Sequence, residues 1–82
     1  MTLPRHVGQK LSRWISDIEE FGIEEVRKIA GYHDEPLTGK FKGKRSVRLS
    51  QSYRAIYEIK FDEIKFVQIE RVGTHDKAYR NR

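Results

Sequence analysis

The sequence contains no cysteine, and only two of its 82 residues are proline. Without cysteine the chain can form neither a disulfide nor a thiolate metal site, and it is compatible with a reducing compartment. The three histidines, His6, His33 and His75, lie far apart in the sequence. None has a neighbour at the spacing of metal ligands, so the sequence predicts no metal and no other cofactor.

Long apolar runs are missing as well. No segment approaches the roughly 20 consecutive apolar residues of a membrane-spanning helix, and the N-terminus lacks the apolar core of a signal peptide. These absences predict a cytoplasmic protein without a membrane partner. With 37% hydrophobic and 35% charged residues, the chain can build one layer of helix on sheet. Its length predicts a single domain over residues 1–82.

Acidic residues are absent between Pro36 and Tyr57, although the whole chain has 12 Asp and Glu against 17 Lys and Arg. Six cations lie in this segment, and without them the rest of the chain has 11 cations against 12 acids. The six are Lys40, Lys42, Lys44, Arg45, Arg48 and Arg54. Such a concentration of positive charge is typical of a surface that binds a polyanion, most commonly a phosphate backbone.

Apolar residues recur at helical spacing near the N-terminus and predict an amphipathic helix over residues 5–21. The stripe comprises Val7, Leu11, Trp14, Ile15, Ile18 and Phe21. Gly22 is expected to end this helix, and a second short helix is expected to follow within residues 23–30. Among the larger apolar residues, we expect a buried position for Trp14, Phe21, Ile56 and Ile69.

The second half of the chain is rich in β-branched and aromatic residues and predicts strands over residues 45–50, 53–60 and 64–72. Short polar turns join these strands, so neighbours must run antiparallel. Residues 32–44 are expected to form a loop or irregular strand, and residues 73–82 a polar tail. The predicted fold class is α+β, with N-terminal helices packed on a small antiparallel sheet.

The predicted sheet has two edges, and about 23 N-terminal residues are available to cover one of its faces. A further strand would therefore fit against an exposed edge. It could come from an N-terminal extension or from a partner chain.

Three motifs carry a resemblance to a known family: His33-Asp34-Glu35-Pro36-Leu37-Thr38-Gly39; Arg45-Ser46-Val47-Arg48-Leu49 leading into Tyr53-Arg54-Ala55-Ile56-Tyr57; and Gly73-Thr74-His75-Asp76. In this order and spacing, the chain resembles the RelE/ParE superfamily of bacterial type II toxins. The closest branches are the RelE-, YoeB-, YafQ- and HigB-like mRNA interferases. Members normally begin with a strand and a helix before the point where this chain starts. The resemblance therefore implies a chain that is short by roughly one strand and one helix.

The resemblance implies a ribosome-dependent mRNA endoribonuclease whose partners are a cognate antitoxin, the ribosome and mRNA. In this chemistry the ribose 2′-hydroxyl attacks the adjacent phosphate without a metal. A base, cations for the developing charge and an acid for the leaving 5′-oxygen are required. By resemblance, Glu35 is the base, Arg54 binds the scissile phosphate and His75 is the acid.

Further substrate contacts are implied for Arg48 and Tyr79, the first to a phosphate and the second by stacking on a base. The remaining cations, Lys40, Lys42, Lys44 and Arg45, are expected to bind the nucleic-acid backbone without reading its sequence. From the residues alone, Glu35 can equally be a solvated carboxylate that balances nearby cations. Similarly, His75 can be an incidental loop histidine.

Two other functions remain open on the sequence. The ParE branch has the same fold but inhibits gyrase and lacks the nuclease residues. Alternatively, a truncated toxin remnant would only bind its antitoxin or RNA. The joint occurrence of Glu35, Arg54 and His75 favours the nuclease over the gyrase inhibitor.

Overall fold

The computed structural model describes residues 3–72, which form an α+β fold as the sequence predicts. The predicted tail, residues 73–82, lies outside the described residues. The elements in chain order are α1 (Arg5–Phe21), α2 (Ile23–Val26), β1 (Glu35–Pro36), β2 (Arg45–Arg48), β3 (Tyr53–Lys60) and β4 (Glu63–Arg71). Short 3-10 turns cover Ala30–Tyr32 and Gly39–Phe41. No helix within residues 3–72 has the length and apolar character required to cross a membrane.

Helix α1 has the predicted bounds. Pro4 precedes it with φ −56°, and the Pro4 carbonyl accepts hydrogen bonds from the backbone N–H of Val7 and Gly8. Gly22 ends the helix at φ 84°, a conformation that side chains disfavour. Helix α2 is shorter than predicted, since it makes only one turn before the chain turns again at Ala30–Tyr32.

The sheet is fully antiparallel, with strand order β1-β2-β3-β4. The three predicted strands are confirmed to within two residues at their ends. A fourth strand is added because Glu35 and Pro36 pair with Ser46 and Arg45. The Leu37 backbone N–H then donates to the Lys44 carbonyl at 2.9 Å, which closes the connection between β1 and β2. The expected loop therefore supplies one edge of the sheet.

A β-bulge interrupts the pairing of β3 with β4. Ile56 lies opposite Gln68, but the next residue, Tyr57, lies opposite Phe66, so Val67 is the extra residue. An extra residue reverses which side chains of a strand point to each face. The apolar side chains of β4 consequently stay on one face of the sheet through both halves of the strand.

Helix α1 packs against that face, which we call the helix face. Trp14 is fully buried there, with its ring centroid 5.0 Å from that of Tyr57 and 5.6 Å from that of Phe66. The buried cluster comprises Val7, Trp14, Val26, Tyr32, Val47, Leu49, Ala55 and Tyr57.

Of the expected core residues, Trp14 and Ile56 are buried, and Ile69 packs partly buried against the cluster. The prediction for Phe21 is wrong, because this side chain is 55% exposed. Phe21 is the last residue of α1 and borders a surface groove with Ile29. Helical spacing assigned it to the stripe, but the stripe extends beyond the part of the helix that the sheet covers.

Candidate functional site

The face of the sheet opposite α1, which we call the charged face, brings two of the predicted site arginines together. Arg48 of β2 lies directly opposite Arg54 of β3, and Arg54 lies opposite Glu70 of β4. Residues directly opposite one another share a face, because side chains alternate along each strand. The three side chains therefore form one row across three strands.

Arg54 is bound by Glu70. Its Nε and Nη2 atoms lie 2.6 Å and 2.5 Å from the same carboxylate oxygen, Oε1. The Oε2 atom accepts a hydrogen bond of 3.1 Å from the Gln68 side chain. Both partners of the ion pair remain partly exposed, at 30% for the Arg54 side chain and 26% for that of Glu70. The arginine is thus oriented by its neighbour and still accessible.

Arg48 is exposed, and within residues 3–72 it makes no ion pair or side-chain hydrogen bond. Like charges placed directly opposite on a sheet repel each other. The negative charge of Glu70 offsets the charge of one of the two facing arginines, so the three side chains together retain a net positive charge. An anion placed between Arg48 and Arg54 would relieve this repulsion.

Glu35 belongs to the same face, because it lies opposite Ser46, two residues before Arg48 on β2. From standard strand spacing, its Cα atom is about 8 Å from that of Arg48 and about 12 Å from that of Arg54. Glu35 is exposed. The structure therefore brings together Glu35, Arg48 and Arg54 of the predicted site.

Arg45 is not brought to this group. It lies opposite Tyr57 on the helix face, where its Nε donates to Asp34 at 2.6 Å. The Tyr57 hydroxyl donates to the other oxygen of Asp34 at 2.5 Å, and the Asp34 side chain is fully buried. The Arg45 guanidinium is thus engaged in a fold-stabilising cluster, on the opposite side of the sheet from the expected phosphate contacts.

The three lysines differ in their surroundings. Lys40 and Lys42 are exposed in the connection between β1 and β2, with Lys40 Nζ 5.1 Å from the ring centroid of Phe41. Lys44 is half-buried and lies 3.8 Å from a carboxylate oxygen of Glu58. The two exposed lysines are the ones free to contact a solvent-side polyanion.

His75 and Tyr79 lie outside the described residues, so their predicted roles stay predictions. Within residues 3–72 no group of three or more His, Asp or Glu side chains is arranged to hold a metal ion.

Sequence reasoning missed Glu70 and Asp34, which bind Arg54 and Arg45 respectively. The sequence does contain a signal that could have placed Glu70 opposite Arg54. The alternation in β4 changes phase where two apolar residues, Phe66 and Val67, adjoin, as expected at a bulge. Without the bulge, Arg54 would face apolar Ile69 and Glu70 would point to the helix face.

The described residues form a small α+β domain in which one main helix covers one face of a four-stranded antiparallel sheet. No protein-family model and no curated protein matches the chain. Among solved structures, the crystal structure of YafQ from E. coli strain BL21(DE3) is similar, with a TM-score of 0.63 and 21% identity. A histidine-to-glutamine mutant of E. coli YafQ has the same TM-score and 22% identity. Each match covers 77% of this chain and 67% of the YafQ chain, and at this identity it establishes the fold.

The raised pKa values of two buried tyrosines, Tyr32 and Tyr57, predict that the fold loses stability at alkaline pH. Burial, reinforced by the hydrogen bond to Asp17, raises the pKa of Tyr32 from 10.0 to about 12. Burial and the hydrogen bond to Asp34 likewise raise the pKa of Tyr57. For Arg45, burial lowers the pKa, but the hydrogen bond and charge of Asp34 outweigh it and the net pKa is raised.

Because the folded chain holds both phenolic protons more tightly than the unfolded chain, their contribution to stability is complete below pH 10. The Tyr32 contribution is lost as the pH rises from 10 towards about 12, and the Tyr57 contribution is lost over a range that begins at the same pH. Each tyrosine is expected to add up to about 1.4 kcal/mol per pH unit to the decline. Urea unfolding near neutral pH and at about pH 11 measures this, and Tyr32→Phe should make the decline shallower. An identical decline in the variant would contradict the assignment.

Proposed function

We propose that this chain is the toxin of a type II toxin–antitoxin system and acts as a ribosome-dependent mRNA endoribonuclease. The observation that carries the proposal is the facing pair Arg48 and Arg54 with Glu35 on the same face. The fold likeness to YafQ supports it. The proposed partners are a cognate antitoxin, the ribosome and mRNA, and the proposed compartment is the cytoplasm.

In the proposed reaction, Glu35 takes the proton of the ribose 2′-hydroxyl, whose oxygen attacks the adjacent phosphorus. The bond from phosphorus to the 5′-oxygen breaks, and His75 gives a proton to that oxygen. Arg54 offers two parallel N–H donors to the phosphate, whose charge rises in the transition state. Arg48, directly across the strand pair, contacts a further phosphate oxygen.

Glu70 gives the proposed site a counter-ion in the absence of RNA. It holds the Arg54 guanidinium through one carboxylate oxygen and leaves part of the group exposed. A phosphate that approaches from the exposed side meets an arginine whose side-chain conformation is already restricted. Less conformational entropy is then lost on binding than with a free arginine.

The remaining predicted residues take supporting roles in the proposal. Lys40 and Lys42 attract the phosphate backbones of the mRNA and the ribosome in a salt-dependent manner. Lys44 attracts them less strongly, because Glu58 offsets part of its charge. Tyr79 stacks on a base, as the family resemblance implies. Arg45 is assigned a structural role instead of a phosphate contact, because Asp34 holds its guanidinium on the helix face.

Expression of the chain in bacteria is expected to arrest growth through cleavage of mRNA, detected as discrete cuts in translated messages by primer extension. The double variant Arg54→Ala with His75→Ala should grow normally with intact mRNA. Arg71→Ala is a matched control, since it removes an exposed cation from β4. It should arrest growth like the wild-type chain.

The alternative functions give different results in the same cells. A gyrase inhibitor would cause DNA damage and leave mRNA intact. A non-catalytic remnant would protect RNA without cutting it, even on translating ribosomes. An equally toxic double variant would also reject the ribonuclease assignment.

A further inference from the structure

Strand β1 carries Glu35, the proposed base, but its own backbone pairing holds it weakly. Within residues 3–72 it is two residues long, lies at the edge of the sheet and pairs with β2 alone. Pro36, its second residue, has no N–H to donate to that pairing. The chain enters β1 through His33, whose φ of 48° is a left-handed conformation that persists only where neighbouring contacts maintain it. These features indicate that contacts other than the strand pairing fix the position of Glu35.

Asp34 supplies such contacts from the other face of the sheet. Its fully buried carboxylate accepts a 2.6 Å hydrogen bond from Arg45 Nε and a 2.5 Å hydrogen bond from the Tyr57 hydroxyl. Arg45 belongs to β2 and Tyr57 to β3. Asp34 therefore ties the start of β1 to two strands, although β1 pairs with only one of them. With each oxygen bound to a different strand, the carboxylate can neither rotate nor shift freely.

This anchor also determines the direction of the next side chain. Adjacent residues of an extended strand point to opposite faces of the sheet. Because Asp34 is held on the helix face, Glu35 is directed to the charged face, where Arg48 and Arg54 lie. A slip of one residue between β1 and β2 would exchange the two faces and take Asp34 away from both of its donors. The two hydrogen bonds of Asp34 thus favour the register that presents Glu35 to the arginines.

We propose that Asp34 is a positioning residue for the cleavage reaction and acts through Glu35. The inference rests on the proposed function, in which Glu35 takes the proton of the 2′-hydroxyl. Asp34 does not touch the RNA, because its carboxylate is buried on the opposite face. A catalytic group displaced by about 1 Å can cost about 10²-fold in rate. Loosening the anchor should therefore lower kcat, while the exposed arginines still bind RNA.

Tyr57→Phe loosens the anchor with the smallest change to the fold, because it removes only the hydroxyl that donates to Asp34. The kcat of mRNA cleavage on ribosomes should fall at least about tenfold, with KM changed less than about twofold. Tyr32→Phe is the matched control, since its hydroxyl donates to Asp17 of α1 at 2.7 Å and not to Asp34. It should cleave like the wild-type chain. Circular dichroism verifies that both variants fold.

A double-mutant cycle identifies the residue through which the anchor acts. In a Glu35→Gln background the base is already absent, so adding Tyr57→Phe should change kcat less than about twofold. In an Arg48→Ala background the fall in kcat should remain, because the base is still present to be displaced. A fold that is merely destabilised would instead lose activity to the same extent in every background.

Amide hydrogen exchange, followed by NMR, tests the anchor without RNA. The Leu37 N–H, directly after β1, donates to the Lys44 carbonyl at 2.9 Å. Its exchange should be at least about tenfold faster in Tyr57→Phe and unchanged in Tyr32→Phe.

Two results would overturn the proposal: unchanged exchange of the Leu37 amide in Tyr57→Phe, or an equal fall in kcat in the Glu35→Gln background. A wild-type chain that cuts no mRNA would reject the proposed function instead. The exchange measurement would still decide whether Asp34 anchors β1, so the two failures are distinguishable.

Discussion

Replacing Arg54 with alanine is expected to lower the rate of the proposed mRNA cleavage about 10²- to 10³-fold, the usual effect of removing one donor to a developing oxyanion. Arg54 is the one of the two facing arginines whose orientation is held by an ion pair, with both contacts made to Glu70 Oε1. Its loss removes planar donors whose interaction strengthens as charge accumulates on the phosphate. Cleavage of a defined message on purified ribosomes measures the rate.

Two companion variants separate chemistry from structure in this experiment. Arg54→Lys keeps the charge and should recover only part of the rate, because a single ammonium cannot make the paired contact. Glu70→Gln keeps the size of the side chain and removes the counter-charge, so RNA should bind more tightly at low salt. Wild-type cleavage by Arg54→Ala would exclude its role in the transition state. An equal loss of cleavage in Glu70→Gln would show that the ion pair itself is required.

Replacing Asp34 with alanine is expected to destabilise the fold by about 3 kcal/mol, the lower end of the range for breaking a buried ion pair. Asp34 is fully buried and accepts hydrogen bonds from both Arg45 and Tyr57. Its removal leaves a phenol and a largely buried guanidinium without their acceptor. A domain of 82 residues has about 4–12 kcal/mol of stability in total, so this loss is severe.

Urea unfolding followed by the fluorescence of Trp14 measures this change. The chain has one tryptophan, and its ring packs against Tyr57, one of the two residues that donate to Asp34. In a background with Arg45→Met and Tyr57→Phe, the same Asp34→Ala change should be much less destabilising, because no donor is left unpaired. A loss below about 1 kcal/mol in the natural background, or an equal loss in both, would show that the cluster does not stabilise the fold.

Hydrophobic periodicity determined most of the secondary structure. The stripe from Val7 to Ile18 and the stop at Gly22 set the bounds of α1, and the β-branched and aromatic run set those of β3. These signals are local, because each depends on residues within one or two turns or on alternation in one strand. These local signals could not predict the pairing of Glu35 and Pro36 with β2, since a two-residue strand is too short to show alternation.

For the site, the sequence alone located the excess positive charge between Pro36 and Tyr57. Alternation along the predicted strand 45–50 also puts Arg48 on the opposite face from Arg45 and Val47, as the structure shows. Charge content and strand alternation can be read from the order of the residues.

The tertiary structure decided which of these cations have partners. The bulge at Val67 set the register that places Glu70 opposite Arg54, and the buried Asp34 binds the Arg45 guanidinium on the helix face. Register and burial depend on contacts between segments that are 11 to 23 residues apart in the chain. The sequence therefore determined where the positive charge lies and how strand alternation divides Arg45 from Arg48, and packing decided that Glu70 binds Arg54 and that buried Asp34 binds Arg45.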